Sequence, residues 1–200
     1  MGSAVKAVCE KMRDRLSTLG LDPSRPVAFA EGMRHAKLDA LDEQVSTEPS
    51  PTQRQYGLYS HSAVFAEVRV DEDLGTVHVA RVVTAVAPGR VINPKTARSQ
   101  VIGGIVWGIG MALEEESVID HAFGRIMNHS FGEYHVAVNA DIHDIDVIFV
   151  EEPDEIVNPL GVKGLGEIGV VSVAAAVANA VFHATGKRIR ELPITLDRLI

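Results

Sequence analysis

Between residues 168 and 185 the chain carries no formal charge, is dominated by alanine and valine, and ends at Gly186. A run of that kind has to be buried, and the glycine at its end suits a left-handed helix stop. The sequence therefore predicts a buried helix beginning at about Glu167. Directly before it stands Gly161-Val162-Lys163-Gly164-Leu165-Gly166-Glu167. Three glycines allow a backbone to approach a ligand closely, and the unpaired N–H groups of a helix's first turn favour an anion, with phosphate the obvious candidate. Glu167 is the only acid in this loop. Desolvation beside a ligand would suit it to work as a general base, while a helix N-terminus would stabilise its charge. The plainer alternative is a tight turn in which Glu167 merely complements the helix dipole. A third reading is a dinucleotide fingerprint, because Gly164-Leu165-Gly166-Glu167-Ile168-Gly169 spells G-x-G-x-x-G. That motif needs a strand ending right before it and an acid about 20 residues later. The nearest strand candidate ends near Val150, and Lys187, Arg188 and Arg190 occupy the region where the acid belongs, so this reading is set aside.

The 200 residues suit one domain or two small ones. A net charge of −8 with no basic stripe argues against a nucleic-acid surface. Cys9 is the single cysteine, which excludes an internal disulfide and an iron–sulfur cluster held by this chain alone. The 168–185 run is interrupted by Ser172, Asn179 and His183 and falls short of the ~20 apolar residues of a membrane span, so no membrane insertion is expected. The first residues lack a charged region followed by an apolar core, and no signal peptide is expected there. Ser3 reads as a helix cap, with Val5, Val8, Cys9, Met12 and Leu16 on one face of a helix that stops at Gly20. A chain whose first residues already cap a helix is expected to be part of something longer.

Val27-Ala28-Phe29-Ala30 reads as a short strand, and 31–60 as an irregular connection with no role for His35 or His61. From residue 62 the letters alternate: Val64, Ala66, Val68 and Val70 face one side, Phe65, Glu67 and Arg69 the other. The turn at Asp71-Glu72-Asp73-Leu74-Gly75 lacks calcium-loop spacing and leads into a second strand, giving a hairpin over 62–86. Asn93-Pro94 caps a helix over 94–116 that contains Gly103, Gly104, Gly108 and Gly110. Each glycine costs ~1 kcal/mol relative to alanine, so close approach of another helix or of a cofactor must offset it. Gln100, just before these glycines, could bond the edge of a heterocycle. Glu114, Glu115 and Glu116 are expected to be solvated. Two further strands are predicted within 131–150, joined by an acidic turn around His143. No metal-ligand set is assigned from these residues.

Three stretches, in order, resemble the C-terminal part of the large subunit of molybdenum hydroxylases, the xanthine dehydrogenase and aldehyde oxidase family. They are Gly89-Arg90-Val91-Ile92-Asn93-Pro94 continuing through Gln100 to Glu115; 128–134; and Gly161 to Glu167 with its alanine-rich helix and the Leu192-Pro193-Ile194-Thr195 ending. The similarity is greatest to the bacterial aldehyde oxidoreductase type with separate subunits.

The resemblance implies an α+β fold: antiparallel strand pairs packed with a glycine-rich helix and an apolar C-terminal helix, as part of a molybdopterin-binding domain. It implies molybdenum–molybdopterin as cofactor, alone or as a dinucleotide, and hydroxylation of aldehydes or N-heterocycles with water-derived oxygen. Glu167 matches the family's catalytic base. Gln100 matches the glutamine beside the pterin, and Lys163, Gly164, Leu165 and Gly166 match the loop at the cofactor. Gly2 and Ser3 match the start of a helix whose preceding loop holds the cofactor's phosphate end. Electrons would leave through 2Fe-2S clusters and FAD on partner subunits, in the cytoplasm or in the periplasm after export with a partner. A complete subunit of this family is several times longer, so the isolated chain is expected neither to hold cofactor nor to turn over. The rival from another class is a non-catalytic binding or assembly module of the same fold.

Overall fold

The computed structural model describes residues 2–200. It divides into two compact units: the chain up to Gly57 together with Glu155–Gly161, and Leu58–Asp154 together with Val162–Ile200.

In the first unit, α1 spans Gly2–Thr18 and α2 spans Pro26–His35. α1 ends as its sequence predicts. Gly20 has φ +66°, Leu21 N–H donates to Leu16 O and Gly20 N–H to Ser17 O, which together close a Schellman stop. Ser3 lies inside the first turn, within the helix. The strand expected at Val27-Ala28-Phe29-Ala30 is instead the start of α2. Four apolar letters cannot distinguish the two periods, and Pro26 at the helix start sets φ for the first turn. Of residues 31–60, expected to be an irregular connection, 31–35 belong instead to α2 and Gln53–Gln55 form a 3-10 turn, while 37–52 contain no helix or strand. That segment is tied to α1 by Glu43, which pairs with Lys11 at 2.8 Å and Arg15 at 2.7 Å.

The second unit is built on a three-stranded sheet in the order β1-β2-β5. β1 (His61–Asp71) and β2 (Thr76–Ala87) form the antiparallel hairpin, with a register shift between Glu67 and Val68. Burial alternates along β1 as its letters demand, Val64, Ala66, Val68 and Val70 inward and Phe65, Glu67 and Arg69 outward. β5 (Asp144–Phe149) joins β2 in parallel, not antiparallel. No strand forms at Phe131 to Val138; a turn there is tied to the segment after the glycine-rich helix by Tyr134, whose hydroxyl donates to Glu115 Oε2 at 2.8 Å. The outer edge of β5 is covered by Arg98, which donates to the carbonyls of Val147 and Ile145. Glu115 is thus engaged by Tyr134 instead of being merely solvated. Its carboxylate, accepting from the phenol and adding its charge to partial burial, holds the Tyr134 hydroxyl above its ordinary value. A two-residue antiparallel pair, β3 (Ile119–Asp120) with β4 (Arg125–Ile126), occupies what reads in sequence as a connection.

α3 spans Pro94–Leu113, capped by Asn93 Oδ1, which accepts from the N–H groups of Lys95 and Thr96. α4 spans Val173–Thr185 and ends at Gly186 with φ +74°. Val173, Val177 and Val181, four residues apart, are fully buried in a core shared with Val82 and Val86 of β2 and Val101, Ile105 and Ile109 of α3. α4 begins six residues later than expected. Residues 166–172 form successive turns, with Val170 N–H donating to Glu167 O and Val173 N–H to Val170 O. The cause is tertiary: a Cβ on Gly104 would lie 2.9 Å from the carbonyl carbon of Gly169, and one on Gly169 would lie 2.7 Å from Val101 O. Backbone touches backbone there, and the 166–172 segment takes the shape that contact allows. Gly104 and Gly108 therefore serve the approach of this segment and of Val173, which is the helix-packing reading of the glycine stripe.

Candidate cofactor-binding site

β2 and β5 run parallel, so their C-terminal ends lie at one edge of the sheet. β2 leaves through Ala87-Pro88-Gly89, with Gly89 at φ +69°, and Gly89 bridges to Val162 while Lys163 N–H donates to Pro88 O at 2.9 Å. The glycine loop is in this way laid along the exit of β2.

Three side chains then hold the loop. Ser60 Oγ donates to Gly164 O at 2.5 Å, and Gln100 Nε2, from the first half of α3, donates to Gly166 O at 2.6 Å. Lys163 Nζ is paired with Glu152 at 3.1 Å and Asp154 at 3.3 Å, with its side chain only 6% exposed. Burial alone would push the Lys163 ammonium down, but the two carboxylates overcome it and hold the group above its ordinary value. Gln100 and the loop thus meet through the loop's own carbonyl, a contact the sequence does not predict. Nothing local in the sequence marks Ser60, Glu152 or Asp154 as partners of this loop.

Beside the loop lies an open groove of about 490 Å³. Gln100, Lys163, Leu165 and Gly166 line it, together with Arg90 and Ile92. Among the described residues, the N–H groups of Gly164, Leu165, Gly166 and Glu167 have no acceptor. A Cβ at Gly164 or Gly166 would meet nothing within 4 Å, so the space over both glycines is open. Free amide donors, the Arg90 guanidinium and the Gln100 Oε1 acceptor suit a heterocycle rich in acceptors that carries an anionic group. Leu165 supplies an apolar wall. The residues present fit a molybdopterin.

Glu167 follows Gly166 directly, and its side chain is exposed, without a hydrogen-bond partner among the described residues. Because α4 starts at Val173, Glu167 lies outside that helix and is not one of its first-turn residues. The glycine loop therefore does not run directly into the N-terminus of α4; it borders the groove instead. No strand enters the G-x-G-x-x-G stretch, since β5 ends at Phe149.

Gly2 and Ser3 belong to the other unit. A Cβ on Gly2 would lie 2.9 Å from Leu160 Cδ1, and Ser3 borders an open groove of about 630 Å³ that also presents Lys6, Gln53 and Asn158. Among the described residues no three His, Cys, Asp or Glu side chains converge as a metal site, and no helix is long and apolar enough to cross a membrane.

The family of molybdopterin cofactor-binding domains matches this chain over residues 1–143. The aldehyde oxidoreductase molybdenum-binding subunit PaoC of Escherichia coli K12 is 41% identical over 210 aligned residues, 99% of this chain and 29% of that protein. Subunit gamma of the 6-hydroxypseudooxynicotine dehydrogenase complex of Paenarthrobacter nicotinovorans is 35% identical over 70% of this chain and 18% of its own. Among solved structures, the aldehyde oxidoreductase of Desulfovibrio desulfuricans superposes with a TM-score of 0.63 at 27% identity, covering 70% of this chain and 15% of that one. Quinoline 2-oxidoreductase of Pseudomonas putida 86 gives 0.60 at 31%, covering 66% and 17%. The chain belongs to the molybdopterin cofactor-binding domain family of the molybdenum hydroxylases. It spans less than a third of the length of the curated relatives it matches.

Proposed function

We propose that this chain supplies one wall of the cofactor site and the catalytic base of a molybdenum hydroxylase that acts on aldehydes or N-heterocycles. With an aldehyde the balance is RCHO and water giving RCOOH, two protons and two electrons. Molybdenum–molybdopterin, when bound, supplies the two-electron redox centre. Gln100, Leu165 and Gly166 orient it from the groove, and the free amides of 164–167 donate to its acceptor atoms. Glu167 takes the proton released as oxygen is added to the substrate carbon.

The observation that carries this reading is the hydrogen bond from Gln100 to Gly166 O. It fixes the peptide immediately before Glu167 at the rim of a donor-rich groove and leaves the carboxylate without any other partner. The remainder of the large subunit closes the site, and 2Fe-2S and FAD subunits carry the electrons away. The assembly works in the cytoplasm, or in the periplasm after export with a partner subunit.

The test is Glu167→Gln in the complete subunit with its partners. Loss of a general base lowers turnover by roughly 10²–10⁴-fold, with molybdenum content retained. Glu167 is exposed in this chain, which favours as a second reading a non-catalytic module of the same fold. Unchanged turnover in the variant would establish that second reading.

A further inference from the structure

Lys163 is the residue of the loop that is bonded at both ends. Its main-chain N–H reaches Pro88 at the exit of β2, and its ammonium reaches Glu152 and Asp154, just beyond the end of β5. It therefore stitches together the exits of two parallel strands at the sheet edge that forms the groove. The loop itself needs such an anchor. Residues 163–167 make no backbone hydrogen bond among themselves, and Gly164 and Gly166 give the chain more conformational freedom than any other residue would. The course of the loop is imposed from outside.

We propose that Lys163 is a positioning residue: its ammonium, held between Glu152 and Asp154, sets the course of the loop that carries Glu167 and does not itself touch the cofactor. This rests on the reading of Glu167 as base. A buried ion pair yields little net stability, because desolvation offsets attraction, but it restricts geometry sharply. The ammonium is used up by two carboxylates, so a third, anionic partner in the groove would have to displace one of them.

The experiment uses the complete enzyme with its partner subunits and three variants: Lys163→Met, Lys163→Arg, and Glu152→Gln combined with Asp154→Asn. Amide exchange, molybdenum content, kcat and KM are measured for each. The one bonded amide of the stretch, Lys163 N–H on Pro88 O, should exchange about tenfold faster at position 163 in Lys163→Met. The kcat of this variant should fall roughly 10- to 100-fold, as expected for a misplaced base, with KM and molybdenum content unchanged. The double variant should reproduce this, and Lys163→Arg should restore most of it. If Lys163→Met loses molybdenum while the double variant keeps it, the lysine touches the cofactor and the proposal is overturned. Faster exchange that spreads to β1 and β2 indicates a general structural role and also overturns it. Glu167→Gln is run in parallel. Unchanged turnover there defeats the general-base reading alone, because exchange in the lysine variants still decides whether Lys163 sets the loop.

Discussion

Gln100 on α3 and Gly166 in the glycine loop, 66 residues apart in sequence, are joined at 2.6 Å by a hydrogen bond from Nε2 to the main-chain carbonyl. The amide is oriented by that bond: only Nε2 can donate to a carbonyl, so Oε1 is the atom left to accept. Gln100 thereby supports the peptide before Glu167 and also presents an acceptor. Replacing it with alanine removes one hydrogen bond to an exposed loop, worth about 1 kcal/mol. The melting temperature of the complete subunit should barely move, whereas kcat should fall about tenfold or more through loop misplacement. Steady-state kinetics beside a thermal melt checks both halves.

The glycines of α3 separate into two kinds. A Cβ on Gly104 would lie 2.9 Å from backbone atoms of Gly169 and Val170, which cannot move aside cheaply, while a Cβ on Gly103 would meet nothing within 4 Å. Gly104→Ala should therefore destabilise by about 1–3 kcal/mol through overpacking. Gly103→Ala should stabilise by up to about 1 kcal/mol through helix propensity. Opposite shifts of the urea midpoint are the expected result.

Glu43 is held below the usual carboxylate range, first by its hydrogen bond to Lys11, then by that to Arg15. A depressed folded-state value means that the stabilisation is present above the ordinary value of about 4.3 and is lost as pH falls through the lowered one. Acidification should release residues 42–44 from α1, seen as faster amide exchange there. Glu43→Gln should show the same release at neutral pH.

The Lys163 clamp has the opposite sign. Its folded-state value is raised, so the contribution is complete below the ordinary lysine value of about 10.4 and disappears only as pH climbs through the raised value. The opening equilibrium of the Lys163 amide, bonded to Pro88 O, should be flat from neutral pH to the lysine range. Acceleration well below that range would contradict the pairing.

The 200-residue chain alone should neither retain molybdenum nor oxidise an aldehyde. Its groove is open, and a cradle with one wall forfeits both orientation and the exclusion of water. Metal quantification and an aldehyde assay on the purified chain would detect any departure; stoichiometric metal with turnover would contradict the expectation.

Much of the architecture is legible because local chemistry and tertiary outcome agree. Val64, Ala66, Val68 and Val70 alternate and do face the core; Asn93-Pro94 does cap α3; Gly20 and Gly186 do end helices in the left-handed conformation. The misreadings share a cause. Val27 to Ala30 is too short for its period to speak, 131–138 alternates but is held in a turn by Tyr134 on Glu115, and 167–172 has helical letters but is pressed against Val101 and Gly104. Of the residues lining the candidate groove, Gln100, Lys163, Leu165 and Gly166 are singled out by the sequence motifs as well. Ser60, Glu152 and Asp154 are not, because each acts on the loop from a distant part of the chain without a local pattern.

What the letters alone determined is the inventory: an apolar helix, a glycine loop with one acid, an amide ahead of a small-residue stripe, and too little cysteine for an electron relay. Those follow from side-chain chemistry and short-range periodicity, which a sequence carries openly. Only tertiary structure decided that β5 runs parallel to β2, that the lysine is buried between two carboxylates, and that the acid stands on a turn instead of a helix. Each of these depends on which backbone groups meet across long stretches of chain, where packing and hydrogen-bond satisfaction outweigh local preference.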